Sequence, residues 1–348
     1  MGTPRISVLI ATYNSGAFIT DAIESVLRQT LPRDAFEIIV IDDGSTDDTE
    51  ARLHAYGNAI RYWHQTNRGQ ASAWNEGLAR TRGEIVAFLD ADDLWYDDKL
   101  TLVLTEFDRS PDVGVVSHTM AVINDEGAVI GEAPDFRLYP AAAGDRYPLR
   151  AYLRGKPPVL PPTSGIAVRS TCLNRIRPIP EEFRGGHDAP GADLYVAYLL
   201  PFYAAEFVLI KDRLGAYRIH GPTLREGGLE HVTLAHLQNT IEAYGRLRSY
   251  VDRAAKESGH DASAIARKFE AVAREANIRL HALCRKRLTA LRLVLRHEDP
   301  EFQGSGLSRT FRRLTLILDV LMPRRPYLRL RTWYRRSRLF DLVHGSTE

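Results

Sequence analysis

The first third of the chain alternates short runs of consecutive apolar residues with segments whose apolar residues recur at helical spacing. Five such runs predict buried strands, at 6–11, 36–41, 60–63, 85–89 and 113–117. Between them, apolar residues spaced three or four apart predict amphipathic helices, the first of which ends near Gln29. Because the strands are continuously apolar, the pattern predicts an α/β fold with a mainly parallel sheet and helices on both faces.

Polar loops follow the first, second and fourth predicted strands, and in a parallel sheet these loops emerge at one edge, where ligands bind. They contain Thr12-Tyr13, Asp42-Asp43 and Asp90-Ala91-Asp92-Asp93. Each loop alone is ordinary, since Asp-Gly-Ser is a common turn and a single Asp-x-Asp serves more often as a cap than as a metal site. Together the carboxylates repel one another unless a cation or hydrogen-bond donors compensate, so the sequence predicts a metal site with a phosphate partner.

Four segments in this order carry a family resemblance: SVLIATYN, IIVIDDGSTDDT, NRGQASAWNEGLARTRGE and IVAFLDADDLW. They resemble the nucleotide-sugar domain of the family 2 glycosyltransferases. The resemblance is strong from about residue 5 to 111 and weaker to about 225. It implies a GT-A fold, which is Rossmann-like, and an inverting transfer of a sugar from a nucleotide-diphosphate sugar, with a UDP-sugar as the expected donor.

The resemblance also implies roles for individual residues. Tyr13 and Asp43 match residues that hold the nucleotide base, and Asp90 matches a residue near the ribose and the metal. Asp92 matches the ligand of a Mn²⁺ or Mg²⁺ ion that bridges the diphosphate, whereas Asp93 is expected to support the local turn. Further residues expected in the donor site are Thr12, Asn14, Asp42, Asn67, Gly69, Ala91 and Arg218.

The acceptor half is expected between about 119 and 225, where a hairpin is predicted around Asn124 and Gly127. In GGHDAPGADLYVAYLL, the resemblance implies that Asp193 is the base that deprotonates the acceptor. The acidic pair usual in the family reads Ala192-Asp193 here, and Asp188 is the alternative base. A purely structural role for Asp193, as a cap of the following helix, also remains open.

The segment RLGAYRIHG resembles a strand that carries a metal-site histidine in the family. His220 is therefore expected to be a further ligand of the cation, beside Asp92 and Asp90. Arg218 or Arg225 is expected to contact phosphate. A single histidine is more often structural, and this alternative stays open for His220.

Three regions are predicted: a GT-A domain at 1–225 with a nucleotide-sugar half at 1–118 and an acceptor half at 119–225, a helical extension at 226–302, and a basic amphipathic tail at 303–348. The extension reads as two helices, at 229–257 and 262–297, and is a candidate for a homodimer surface. The tail mixes ten arginines with aromatic residues, which favours an anionic membrane surface over a packed helix, and nucleic acid is not expected.

Composition narrows the class of protein further. The 348 residues carry a net charge of +2 and two distant cysteines, which supports neither a disulfide framework nor a zinc site. No uncharged apolar stretch of about 18 residues occurs, so the expected location is cytoplasmic, peripherally on the inner face of the membrane.

The function predicted from these features is metal-dependent transfer of a sugar to a hydroxyl of a glycan or lipid-linked acceptor, in the synthesis of cell-surface polysaccharide or glycolipid. Two alternatives remain. The first is a non-catalytic nucleotide-sugar-binding partner in a glycan-assembly complex. The second is a sugar nucleotidyltransferase, although the first loop, Ala11-Thr12-Tyr13-Asn14, lacks the GxGxR-type signature of that class.

Overall fold

Ten strands of the described residues form one mixed sheet in this computed structural model, which describes residues 2–132, 146–148, 162–185, 190–220 and 234–283. The sheet order is β3-β2-β1-β4-β9-β6-β10-β5, with β7 beside β6 and β8 beside β10. The strands are β1 Ile6–Thr12, β2 Phe36–Asp42, β3 Arg61–His64, β4 Ile85–Asp90, β5 Leu94–Trp95, β6 Val113–Ile123, β7 Val129–Glu132, β8 Arg146–Pro148, β9 Ile166–Arg169 and β10 Glu206–Arg218.

The helices fall where the apolar spacing predicts them. The helix α1 buries Ile19, Ala22, Ile23 and Val26 on one face, which packs on the sheet. The helices are α1 Ile19–Leu27, α2 Thr49–His54, α3 Gln70–Leu78, α4 Lys99–Arg109, α5 Ser170–Ile176, α6 Ala192–Leu199, α7 Leu234–Ser258 and α8 Ser263–Leu283. No helix within the described ranges is both long enough and apolar enough to cross a membrane.

The first four strands in sheet order, β3, β2, β1 and β4, are all parallel. Their register aligns Thr12 with Asp42 and Ala11 with Asp90. The carboxyl ends of β1, β2 and β4 therefore lie side by side, which confirms that their polar loops emerge at one edge of the sheet.

The other half of the sheet is mixed, so the mainly parallel prediction holds only for the first half. Strand β9 runs antiparallel between β4 and β6, and β5 and β8 run antiparallel to β10. The α/β GT-A prediction itself is confirmed, as the comparisons below show. Strand β10 runs parallel to β6 and pairs Arg218 with Ile123, which carries its carboxyl end to the site edge.

The described residues divide into two compact units. One comprises 2–132, 146–148, 162–185, 190–220 and 250–262, and the other comprises 234–249 and 263–283. The first unit contains the sheet and every described site residue discussed below. Within the second unit, the rings of Tyr244 and Phe269 lie 5.6 Å apart, and Arg248 pairs with Glu270. The predicted tail at 303–348 and Arg225 lie outside the described residues.

Candidate active site

The loops after β1 and β2 hold each other in place. Asn14, at a positive φ of 51°, accepts a hydrogen bond from the backbone N–H of Thr46 at 2.7 Å, and its own N–H donates to Ser45 Oγ at 2.8 Å. Asp42 is fully buried and accepts the Ser45 N–H at 2.8 Å. Asn14 and Asp42, both expected in the donor site, thus shape its loops through these hydrogen bonds.

Asp43 lies at the centre of the predicted base-binding region. Its carboxylate accepts hydrogen bonds from Gln65 Nε2 at 2.6 Å, from the Arg68 N–H at 3.0 Å and from the Gly69 N–H at 2.7 Å. A carboxylate has about four acceptor positions, so about one remains for a donor group of a ligand. Gly69 has a φ of +90°, and a Cβ there would lie 2.4 Å from Arg184 Cβ, so the turn requires glycine.

Four other predicted donor residues differ in exposure. Tyr13, in the loop that follows β1, is 51% exposed, and Asn67 is also exposed. Thr12 is buried, and its hydroxyl has no hydrogen-bond partner among the described residues. Since a buried hydroxyl without a partner costs about 1–3 kcal/mol, the Thr12 hydroxyl is suited to bind a ligand atom. Ala91 is buried and offers only its backbone and methyl group.

Asp90 ends β4 and is half-buried. Its backbone N–H donates to Ser164 Oγ at 2.9 Å, which fixes the start of the loop. Withdrawal from solvent, together with the negative charges of Asp92 and Asp193, raises the pKa of Asp90 to about 8. The charge of Asp193 therefore acts on the same small region as the two loop carboxylates.

Asp92 and His220 meet across the site. Nε2 of His220 lies 2.7 Å from Oδ2 of Asp92, and the two side chains are 39% and 34% exposed. Hydrogen bonding to Asp92 raises the pKa of His220 above its ordinary value. This pair brings together two of the predicted metal ligands from positions 128 residues apart in the chain.

The pair fits a divalent cation that shares its shell with a ligand. Adjacent ligands of an octahedral ion with bonds of about 2.1 Å lie about 3 Å apart, which is close to the separation of these two atoms. Within the described part of the chain, no group of three or more His, Cys, Asp or Glu side chains is arranged to hold an ion alone. The remaining ligands of such an ion would be phosphate oxygens and water.

Behind this pair lies a buried polar layer. Asp93 accepts a hydrogen bond from Ser164 Oγ at 2.6 Å, and the Ser164 carbonyl accepts Lys99 Nζ at 2.9 Å. Burial and the charges of Asp92 and Asp90 raise the pKa of Asp93 well above its ordinary value, whereas burial holds the pKa of Lys99 well below its own. Burial and then the Lys99 charge lower the pKa of His118 to about 3.

Arg218 has partners other than the predicted phosphate. Its side chain is 1% exposed, and Nε donates to the Asp92 carbonyl at 2.8 Å. Nη1 donates to the Asp125 carbonyl at 2.7 Å, and Nη2 donates to Asp21 Oδ2 at 3.1 Å. The guanidinium is therefore occupied by protein acceptors and is withdrawn from solvent, a different arrangement from the predicted phosphate contact.

Asp193 is exposed in the first turn of α6, where both the predicted base and a helix-start residue would lie. Its helix is capped from the donor half, because Gln70 Oε1 accepts the Ala192 N–H at 2.8 Å. A Cβ at Gly191 would lie 2.4 Å from Gln70 Oε1, so a larger residue there would displace the Gln70 side chain. Asp188, the alternative base, lies outside the described residues.

Ser164 and Gln70 are among the polar residues of the site that were not predicted. Ser164 follows a Pro-rich passage and precedes an apolar run at 166–168 that predicts a strand, and it reaches the Asp90 loop because β9 pairs with β4. Gln70 is adjacent to the predicted Gly69 turn in NRGQ, so its position at the start of a helix was the one available signal.

Sequence comparisons relate this chain to glycosyltransferases. Residues 7–151 match the sequence model of glycosyl transferase family 2. An uncharacterized glycosyltransferase of Nostoc sp. is 36% identical over 222 residues, which cover 62% of this chain and 65% of that protein. A Rickettsia felis glycosyltransferase, also uncharacterized, is 41% identical over 129 residues, 36% of this chain and 21% of that protein. The chain thus spans less than two thirds of these relatives.

Solved structures establish the fold. TarS of S. aureus, residues 1–349 in complex with UDP, superposes with a TM-score of 0.54 at 18% identity, covering 91% of this chain and 81% of that one. Mannosyltransferase PcManGT from Pyrobaculum calidifontis, in complex with GDP-Man and Mn²⁺, gives a TM-score of 0.52 at 20% identity, covering 96% and 84%. The fold is therefore that of the GT-A glycosyltransferases, and the sequence match to glycosyl transferase family 2 covers residues 7–151, less than half of this chain.

Proposed function

We propose that the protein is an inverting, metal-dependent glycosyltransferase that moves a sugar from a nucleotide-diphosphate sugar to a hydroxyl of a glycan or lipid-linked acceptor. The observation that carries the proposal is the pairing of Asp92 with His220 at 2.7 Å, at the same sheet edge as Asp43. That edge would supply cation ligands and a hydrogen-bond acceptor for a nucleotide base, with an exposed acid nearby. Neither alternative function requires all three together.

The donor is expected to lie along the parallel half of the edge. Asp43 would accept a base N–H with its remaining acceptor position, the Thr12 hydroxyl would gain a partner, and exposed Tyr13 would stack on the base. We infer a UDP-sugar as the donor, since an imide N–H of uracil suits a carboxylate acceptor and the TarS structure holds UDP. A GDP-sugar is tested beside the UDP-sugars, because the PcManGT structure holds GDP-Man.

The cation, Mn²⁺ or Mg²⁺, would be held by Asp92 and His220, with Asp90 close by. When bound, it supplies positive charge that stabilises the departing diphosphate. The protein's own part is to present a carboxylate oxygen and an imidazole nitrogen at the spacing of adjacent ligands. His220 must be neutral with Nε2 unprotonated to bind a metal, so the ion would take the place of a proton shared between Nε2 and Asp92, and the ring N–H would be on Nδ1.

Asp193 is proposed as the base that completes transfer. Its carboxylate takes the proton of the acceptor hydroxyl as the acceptor oxygen bonds to the anomeric carbon and the bond from that carbon to the diphosphate breaks. Its exposed position in the first turn of α6 leaves the carboxylate accessible to an acceptor. Attack on the face opposite the leaving group gives inversion.

A panel of UDP-sugars and GDP-mannose tests this proposal through thermal stabilisation and nucleotide release, with and without Mn²⁺ and candidate acceptors. Metal-dependent release of UDP or GDP, increased by an acceptor, supports a glycosyltransferase. Binding of a donor without release in any acceptor mixture supports the non-catalytic partner instead. Pyrophosphate release from a nucleoside triphosphate and a sugar 1-phosphate supports a nucleotidyltransferase.

We also propose that the basic tail attaches the protein to the cytoplasmic face of an anionic membrane, where a lipid-linked acceptor would lie. The support is compositional: ten arginines interleaved with Tyr327, Trp333, Tyr334 and Phe340. Truncation after Gly306 is expected to abolish cosedimentation with phosphatidylserine vesicles while donor binding persists. Equal cosedimentation of the truncated and full-length chains would contradict the attachment. Light scattering of both chains tests the proposed homodimer.

A further inference from the structure

We propose that Asp93 and Arg218 are positioning residues that set the separation between Asp92 and His220. The proposal rests on the proposed function, because it concerns the two side chains expected to hold the cation. Those side chains come from the loop between β4 and β5 and from the residues after β10, and β5 pairs Leu94 and Trp95 with Ala216 and Gly215 of β10. This two-residue pairing stops short of Asp92 and His220, so contacts beyond it help to fix their separation.

The first contact is made by the Asp93 carboxylate. This side chain is fully buried, and its Oδ1 accepts the backbone N–H of Arg218 at 2.9 Å. Its Oδ2 accepts Ser164 Oγ at 2.6 Å, so the carboxylate is held from both sides. Because Asp93 is adjacent to Asp92, and Arg218 precedes His220 by two residues, this hydrogen bond brings the two ligand-bearing segments together.

The second contact is made by the Arg218 side chain. Its Nε donates to the carbonyl oxygen of Asp92 at 2.8 Å. Residue 218 is thus joined to residue 92 by a side chain and to residue 93 by its backbone. Two contacts at successive residues restrict rotation of the loop, whereas a single hydrogen bond would let it pivot.

The rest of the guanidinium is held in place by the surrounding protein. Nη1 donates to the Asp125 carbonyl at 2.7 Å, and Nη2 pairs with Asp21 at 3.1 Å. The Phe18 ring lies 4.9 Å from the Arg218 guanidinium carbon and 4.8 Å from the His220 ring. Phe18 therefore packs against both the positioning residue and the candidate ligand.

Binding of Mn²⁺ alone tests the proposal without depending on transfer. The dissociation constant is measured for the full chain from the electron paramagnetic resonance signal of free Mn²⁺. Arg218→Lys keeps the charge and the backbone bond to Asp93 but removes the planar donors that reach Asp92 and Asp125. Mn²⁺ affinity is expected to fall about tenfold, the lower end of the effect of residues that orient metal ligands.

Arg169→Lys is the matched control. Arg169 also donates to backbone carbonyls, those of Val113 at 3.1 Å and Phe107 at 3.2 Å, and its guanidinium carbon lies 5.2 Å from the centre of the Phe107 ring. It ends β9 and pairs with Ile85, at the opposite end of β4 from the Asp90 loop. This control is expected to change Mn²⁺ affinity by less than about twofold.

A double-mutant cycle separates positioning from general destabilisation. In a His220→Ala background, Arg218→Lys is expected to lower Mn²⁺ affinity by less than about threefold, since there is no longer an imidazole to position. An equal loss in both backgrounds would overturn the proposal. Ser164→Ala, which removes one hydrogen bond to Asp93, is expected to weaken Mn²⁺ binding in the same direction and serves if Arg218→Lys does not fold.

The remaining outcomes separate this inference from the proposed function. Wild-type Mn²⁺ affinity, within about twofold, in both folded Arg218→Lys and Ser164→Ala would overturn the positioning role and leave the cation site intact. A wild-type chain that binds no Mn²⁺, with or without UDP, would overturn the proposed cation site and this inference with it. Circular dichroism and thermal melting establish that each variant is folded.

Discussion

The two sides of the candidate site differ in how far apart along the chain their hydrogen-bond partners lie. On the donor side, Asp42 and Ser45 are separated by 3 residues, Asp43 and Gly69 by 26, and Asn14 and Thr46 by 32. On the other side, Asp93 and Ser164 are separated by 71 residues, Asp92 and His220 by 128, and Asp21 and Arg218 by 197.

This difference follows from the sheet. The loops of the donor side join consecutive strands of a parallel block, so the partners of these contacts lie at most 32 residues apart in the chain. The other side is completed by β9 and β10, which enter the sheet late in the chain. This side is built from segments that are distant in the chain, so its geometry depends on the few residues that join them. Substitutions at such residues test the difference between the two sides.

The largest effect is expected at Asp193, on the side of the site whose hydrogen-bond partners lie far apart in the chain. Asp193→Asn removes the proposed base, and turnover is expected to fall about 10²–10⁴-fold because general base catalysis contributes that much. Donor affinity should change by less than about twofold, since no donor contact is proposed for this residue. Steady-state kinetics and calorimetric titration with the identified donor measure the two quantities.

Asp34→Asn is the control, because Asp34 is exposed in the turn before β2, at the opposite end of the strand from the site. It should leave turnover unchanged. The same substitution at Asp188 distinguishes the two candidate bases. Near-normal turnover in Asp193→Asn, with a large loss in Asp188→Asn, would move the base assignment to Asp188.

A smaller effect is expected at Gln70, which links the two sides. Gln70→Met removes the acceptor of the Ala192 N–H with little change in shape, so α6 loses its cap and Asp193 loses part of its positioning. Turnover is expected to fall up to about tenfold, the equivalent of one hydrogen bond, with donor affinity unchanged. Steady-state kinetics measure this as a fall in kcat without a change in the KM for the donor.

Gln70→Glu retains an acceptor oxygen and is expected to recover part of the turnover lost in Gln70→Met. An equal loss in both variants would indicate that the Ala192 hydrogen bond does not explain the effect. A donor affinity that falls in parallel with turnover would instead assign Gln70 to the donor side.

The smallest effect at neutral pH is expected at His118, in the buried layer. Its pKa of about 3 lies below the unfolded value of about 6.5, so the unfolded chain takes up a proton first as pH falls. The stability associated with the neutral ring is full above pH 6.5 and declines by about 1.4 kcal/mol per pH unit between about pH 6 and 4.

Urea unfolding at pH 7, 6 and 5 measures this contribution. His118→Asn should have a shallower loss of stability with acid than the wild type, whereas the control His54→Asn should keep the wild-type slope because the His54 side chain is 65% exposed. Identical slopes for all three proteins would show that His118 does not set the acid sensitivity.

How much of the site could be predicted from the sequence also differs between the donor side and the side built from long-range contacts. The α/β class, the β1, β2 and β4 edge and the convergence of its loops could be predicted because apolar period and turn residues are local signals. The antiparallel β9 could not, since a four-residue apolar strand carries no information about its partner. The family resemblance implies a phosphate contact for Arg218. The sequence could not show that its guanidinium donates instead to the carbonyl oxygens of Asp92 and Asp125.

The sequence by itself determined that carboxylates would gather at one edge of a parallel sheet, because continuous apolar strands and polar loop residues specify both the strands and their exposed ends. The tertiary structure alone decided what stands beside them. Ser164, Arg218, His220 and the helix that carries Asp193 reach the edge only through pairing across most of the chain. Such long-range contacts depend on the packing of the whole sheet, which no short segment of the sequence encodes.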